Sequence, residues 1–286
     1  MGEYKNSLKT NGVKRIAYSG IEGSFASIAA GKIDAGAERV AFGSFKEAYD
    51  AVVSGDCDIA VLPIENSYAG EVGQVTDLMY SGELVIDGIY ELPVIHCLLG
   101  VEGSSEETVK KVISHPQALE QCRGYIEDHK YKSVVCENTA VAARQVAEKG
   151  DVKTAAIASI ETASLYGLKV IRQAINESNA NTTRFAVFKK KDDKKSFCKG
   201  NHSILMFTTQ DEAGALAKVL SILGVFGYNM KVIRSRPLKD VNWHYYFYTE
   251  IEGVFDCEDG QTALKALKRA CDFYKVVGVF TPGLTI

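Results

Sequence analysis

Between residues 14 and 190 one local pattern returns again and again: a short apolar run, a cluster of polar or small residues, then a helical stretch. Val13 to Tyr18 leads into Ser19-Gly20-Ile21-Glu22-Gly23-Ser24 and a helical pattern over Phe25 to Gly31. Cys57 to Leu62 leads into Pro63-Ile64-Glu65-Asn66-Ser67, and Val109 to Ile113 into Ser114-His115-Pro116-Gln117 and a helix over Ala118 to His129. Ala155 to Ala158 leads into Ser159 and a helix over Ile160 to Gly167. Strands with no polar face, alternating with helices, require a mainly parallel sheet covered on both sides. Ligands of such sheets bind beyond the carboxyl ends of the strands, and that is where the polar clusters fall.

The pattern stops at Lys189 to Lys195, a run of Lys and Asp without apolar periodicity, which reads as a solvated linker. A different order follows. Strand Ser203 to Thr209, helix Ala213 to Phe226, strands Asn229 to Arg236 and Trp243 to Ile251, helix Gln261 to Tyr274 and strand Lys275 to Phe280 make β-α-β-β-α-β, the ferredoxin-like arrangement. Leu216, Val219, Leu220 and Leu223 share one helix face, which suits packing on one side of a sheet. The other side, or an edge, must then be polar, covered, or paired with a second copy.

Composition narrows the possible functions. Lys plus Arg number 33 against 36 Asp plus Glu, and no basic stripe interleaves with aromatics, so nucleic acid is not an expected partner. The polar start Met1 to Thr10 and the lack of a long apolar segment point away from export and membranes, towards the cytoplasm. Seven scattered cysteines with no Cys-x-x-Cys, and five dispersed histidines, speak against disulfides and metal. Cys122 and Cys271 fall in helical patterns as small buried hydrophobes. Phosphate-loop, dinucleotide and serine-hydrolase motifs are missing, so no cofactor is expected.

The clusters themselves carry chemistry. In Asn181-Thr182-Thr183-Arg184-Phe185 an amide, two hydroxyls and a guanidinium precede the apolar strand Phe185 to Phe188; this is either a polar turn or a site for a small anion. Glu65, Asn66 and Ser67 follow a buried strand, either as caps or as proton-transfer and orienting groups. Pro116 opens a helix whose first-turn amides favour an anion, and Gln117 and Gln121 lie one turn apart. Ser114 closes the strand before it. His115 suits a structural role better than that of a base. Glu137-Asn138-Thr139 precedes the helix Ala140 to Lys149, with Thr139 the expected cap.

Taken in order, Leu62-Pro63-Ile64-Glu65-Asn66-Ser67, Ser114 to Cys122, Glu137-Asn138-Thr139, Asn181 to Phe185, Gly214-Ala215-Leu216 and Ser235-Arg236-Pro237 resemble the prephenate dehydratase family with a carboxy-terminal ACT regulatory domain. The resemblance implies an α/β bilobal catalytic region over 14–190, folded like a periplasmic binding protein. Its first lobe would take about 14–90 plus 168–190 and its second about 91–167, with a βαββαβ ACT domain over 200–286. It implies Thr183 as the catalytic hydroxyl, with Glu65, Asn66, Gln121 and Glu137 at the other catalytic positions. Arg184 would hold a substrate carboxylate, and Asn181, Thr182, Phe185, Ser67, Ser114, His115, Gln117 and Thr139 would line the substrate. Phenylalanine would bind near Gly214, Ala215, Leu216, Asn229, Ser235 and Arg236.

Two departures stand out: the early glycine-proline loop keeps its glycines but has no proline, and Arg234 replaces the family's glutamate before Ser235. The implied reaction is the decarboxylating dehydration of prephenate to phenylpyruvate in phenylalanine biosynthesis, without metal or cofactor, in a homodimer or homotetramer. Arogenate is the alternative substrate. A non-catalytic sensor of amino or keto acids is the alternative function.

Overall fold

The computed structural model describes residues 14–178, 180–191 and 200–286. Met1 to Thr10, Val13, Cys198 and the linker beyond Lys191 lie outside the described residues. The chain forms two compact units. One takes the residues through Val72, Glu91–Phe185 and Thr285–Ile286; the other takes Gly73–Tyr90 and Ala186–Leu284.

The first unit opens with β1 (Arg15–Ser19), α1 (Phe25–Ile33), β2 (Glu38–Phe42), α2 (Phe45–Ser54), β3 (Ile59–Asn66) and the short β4 (Gly70–Glu71). β1 pairs in parallel with both β2 and β3, and its Ile16 and Ala17 are fully buried. Serine hydroxyls start both helices: Ser24 accepts from Ser27 N and Ser44 from Glu47 N, each satisfying an amide without an intrahelical partner. The strand expected over Cys57 to Leu62 runs on to Asn66, so Glu65 and Asn66 are strand residues on alternate faces rather than a loop.

α3 (Gly73–Ser81) and most of β5 (Val85–Pro93) fall in the second unit. The first unit resumes with β6 (Cys97–Gly100), β7 (Lys111–Ser114), α4 (Pro116–Gln121), α5 (Arg123–Asp128), β8 (Lys132–Val135), α6 (Thr139–Lys149), β9 (Thr154–Ala158), α7 (Ile160–Tyr166) and β10 (Lys169–Arg172). Its second sheet runs β10-β6-β9-β7-β8, with β7 parallel to both β8 and β9. The helix expected over Ala118 to His129 is two helices. Glu177 explains the break: its N–H takes the Gln121 carbonyl (2.9 Å) and its carboxylate takes Gly124 N–H (2.7 Å), two groups on either side of Cys122 that a continuous helix would use in its own ladder. The cap of α6 is Asn138, whose side chain accepts from Ala140 N; Thr139 is the first helical residue.

β11 (Thr182–Lys189) passes from the first unit to the second, and β12 (His202–Thr208), α8 (Ala215–Val225), β13 (Asn229–Pro237), β14 (Tyr245–Glu252), α9 (Glu258–Ala270) and β15 (Phe273–Phe280) complete the chain. This is the ferredoxin-like order, with strands arranged β13-β14-β12-β15-β5. Leu205, Phe207 and Ile251 pack with Val219, Leu223, Ala263 and Leu267 of the two helices.

Side chains alternate along a strand, so Tyr246, beside Phe247, faces the other way. There it stacks on Tyr80 of α3, ring centres 4.4 Å apart. Asp77 of α3 accepts from Tyr246 Oη (2.6 Å), Arg236 Nε (3.0 Å) and Lys239 Nζ (2.9 Å). Burial alone would raise the Asp77 pKa, but the donors Arg236, Tyr246 and Lys239 outweigh it and hold it below the usual carboxylate value. Lys275 donates to the carbonyls of Met79 and Gly82 at the other end of α3. Gly73 begins the helix, and its missing Cβ leaves room for the Arg236 guanidinium, whose Nη1 would lie 2.2 Å from an added Cβ. Of the alternatives expected for the other sheet side, polar, covered or paired, this side is covered, by a helix from far earlier in the chain.

Candidate active site

The polar residues at the ends of β3, β11 and α4 form one hydrogen-bonded chain, and its polarity can be worked out from one end. Asn66 Oδ1 faces the N–H groups of Tyr68 (3.0 Å) and Ala69 (2.9 Å), which can only donate. The other amide atom is therefore the donor Nδ2. It reaches Asn181 Oδ1 at 2.8 Å, Thr183 Oγ1 at 3.0 Å and Thr182 O at 3.3 Å. With its Oδ1 so engaged, Asn181 turns Nδ2 to Gln121 Oε1 at 2.8 Å. Gln117 Nε2 adds a third donor to Asn66 Oδ1 at 3.2 Å. Asn66, Asn181, Gln121 and Thr183 are all buried.

Thr183 Oγ1 is thus an acceptor from Asn66, and no described residue accepts its hydroxyl hydrogen. Accepting one hydrogen bond strengthens a hydroxyl as a donor of another. The members of this group are amides and hydroxyls; among the described residues no carboxylate bonds to it.

Glu65 and Arg184 are held apart from it. Each neighbours a group member in its strand and so projects from the opposite face. Arg184 Nη1 meets Glu65 Oε2 at 3.0 Å, with both side chains about one-fifth exposed. The expectation that Arg184 and Thr183 act side by side on one substrate does not match this strand geometry. Ser67 clasps the strand ends, its Oγ donating to Ala180 O and accepting from Thr182 N.

Ser114 Oγ donates to Ile157 O at 2.6 Å, an internal tie between strands. His115 caps α4, Nδ1 accepting from Gln117 N, and burial lowers its pKa. Phe185 is core, Thr139 is buried in the first turn of α6, and Glu137 is exposed. The glycine loop after β1 reaches α6 and α7: Thr162 Oγ1 donates to Gly23 O, and Gly23, at φ +85°, leaves 2.9 Å between an added Cβ and Leu165.

A model of the prephenate dehydratase family matches residues 16–193. The chain belongs to the prephenate dehydratase family. One relative, the Arabidopsis thaliana chloroplastic arogenate dehydratase/prephenate dehydratase 1, is 32% identical over 280 residues, covering 93% of this chain and 71% of its own. Among solved structures, prephenate dehydratase from Arthrobacter aurescens in complex with L-Phe superposes with a TM-score of 0.84 at 25% identity, covering 93% of this chain and 89% of that one. GqqA, described as a novel type of quorum quenching acylase, superposes at 0.86 with 30% identity, covering 93% and 97%.

In this member of the family, the residues expected to hold phenylalanine lie in the second unit. Gly214, at φ +86°, precedes α8; Ala215 is buried and Leu216 packs into the core. Asn229 Nδ2 donates to Glu252 at 3.2 Å, Ser235 is exposed on β13, and Arg236 is engaged by Asp77. Arg234 lies 6.0 Å from the centre of the Tyr248 ring.

Sequence reasoning missed His96 and Asn176. Asn176 Oδ1 accepts from His96 N and its Nδ2 donates to Val94 O, fixing the segment between β5 and β6. His96 Nε2 lies 2.9 Å from Gln121 Oε1. Its one signal was a lone polar residue inside the run Leu92 to Leu99.

Proposed function

We propose that this chain converts prephenate to phenylpyruvate around the Thr183–Asn66 pair. The ring carboxylate leaves as carbon dioxide, its bonding electrons complete the aromatic ring, and the ring C–O bond breaks. The departing hydroxide takes up one proton to leave as water. Aromatisation drives the reaction, so binding and charge placement are the protein's tasks.

The observation that carries the reading is the Thr183 hydroxyl, which is oriented by Asn66 and has its own hydrogen uncommitted to the described residues. A fixed donor aimed at the oxygen on which charge develops lowers the barrier, because it need not reorganise during reaction. A threonine hydroxyl is too weak an acid to be the final proton source, so it stabilises the leaving oxygen and relays a proton that originates on a stronger acid, a carboxyl group or solvent hydronium. The Glu65–Arg184 pair braces β11 against β3 behind the site.

Arogenate, which carries an amine on the side chain, is the second reading; the Arabidopsis relative bears both names. Incubating the purified chain with each compound and measuring phenylpyruvate and phenylalanine decides between them. Neither product would end the proposal, and acyl-amide hydrolysis instead would favour the activity described for GqqA.

Phenylalanine is the proposed effector, supported by the L-Phe complex of the Arthrobacter protein. The βαββαβ segment would bind it, in a homodimer or homotetramer paired through β13, an edge strand of its sheet.

A further inference from the structure

We propose that His96 is a positioning residue of this reaction: a neutral imidazole, protonated on Nε2, that locks the Gln121 amide so that its NH2 group is offered to an anionic oxygen of the substrate. The inference rests on the function proposed above and follows from the hydrogen-bond polarity already traced. Two backbone N–H groups fix Asn66, Asn66 fixes Asn181, and Asn181 Nδ2 makes the facing atom of Gln121 the acceptor Oε1. His96 Nε2, 2.9 Å from that oxygen, must then carry the hydrogen.

Two donors on Oε1 pin the carboxamide. Gln121 Nε2, in a side chain only 5% exposed, has no hydrogen-bond partner among the described residues. A buried NH2 left unmatched by the protein is costly unless a ligand oxygen completes it. Prephenate brings two carboxylates and a keto oxygen. The neutral state of His96 has its own supports: the residue is 2% exposed, Phe25 sets its ring edge-on at 5.8 Å, and burial lowers its pKa against the opposing hydrogen bond of Gln121. No carboxylate among the described residues reaches the imidazole to favour its cation. These features make His96 an orienting donor rather than an acid or base.

Two measurements on the full chain test this. Nitrogen shifts of 15N-histidine protein should show His96 as the Nε2–H tautomer, still neutral when the pH is taken below the usual histidine value. The Nδ1–H form, or a protonated ring there, overturns the lock. In steady-state assays with prephenate, His96→Gln keeps a donor near the Nε2 position and should stay within about threefold of wild type. His96→Leu removes it and should lower kcat/KM by about tenfold or more, mainly through KM.

A fully active leucine variant refutes the role. So does equal loss in both variants accompanied by a missing limb in the pH profile, which would make His96 an acid or base. A wild-type chain that consumes neither prephenate nor arogenate overturns the functional reading instead, and the tautomer measurement still decides the lock by itself.

Discussion

Replacing Asn66 with aspartate changes one NH2 group into an oxygen and leaves size and shape alone. The three acceptors now served by Nδ2 lie at 2.8, 3.0 and 3.3 Å. Thr183 recovers its contact by turning its hydroxyl hydrogen onto the new carboxylate, and the Thr182 carbonyl keeps the Ser67 N–H at 2.9 Å. Asn181, whose Nδ2 is held by Gln121 Oε1, cannot rotate its amide, so its Oδ1 loses its donor. The stability cost is therefore about one unsatisfied buried group, ~1–3 kcal/mol, as read from urea denaturation. The catalytic cost is different in kind, because the hydrogen that Thr183 offers to the leaving oxygen is now committed elsewhere. Loss of one such donor costs about 100- to 1,000-fold in kcat. Asn66→Asp should thus stay folded and lose turnover, with prephenate consumption as the assay. A kcat within about threefold of wild type would refute the polarity of the chain and the role of the hydroxyl together.

Thr183→Ala should lower kcat by about 100-fold or more while Thr183→Ser, which keeps the hydroxyl, retains much of it; steady-state kinetics compare them. Arg184→Ala leaves Glu65 without its guanidinium in a largely buried place and should cost about 3 kcal/mol of stability, partly restored by adding Glu65→Gln. A raised KM with stability unchanged would put the guanidinium on the substrate instead. Asp77→Ala should destabilise the second unit by about 1–3 kcal/mol, from the loss of hydrogen bonds to charged donors, seen as a lower melting temperature. His96 and His115 both have pKa values lowered by burial, so the native state binds fewer protons than the unfolded one. Their contribution is fully present above about pH 6.5, the unfolded value, and is lost as pH falls towards the native values. Urea midpoints measured from pH 8 down to about pH 5 should fall, and His96→Gln should flatten the slope.

Much of this was legible in the residues. Apolar runs ending in polar clusters gave the α/β region, and Asn66, Gln117, Gln121, Asn181 and Thr183 stood out because amides and hydroxyls gather where strands end. Which of them share a face was harder to see. Glu65 and Asn66 read as a loop, but the strand continues beneath them, and alternation then sends adjacent residues to opposite sides. The split between α4 and α5 depends on Glu177, more than fifty residues away, and local helical periodicity cannot register such a bond. His96 was hidden by its setting, since a lone imidazole in an apolar run looks like any other core residue until its partner is known.

The docking of α3 bears on how the chain can be divided. A carboxy-terminal fragment cut at the linker would lack the strand beside β15 and leave Tyr246 and Arg236 without their cover, while the complementary fragment would carry Tyr80 and Asp77 on a helix without its packing partners. Each half would lose packing that it has in the intact chain. A chimera that exchanges the carboxy-terminal segment between relatives should move Gly73–Tyr90 with it, because the two stretches form one compact unit.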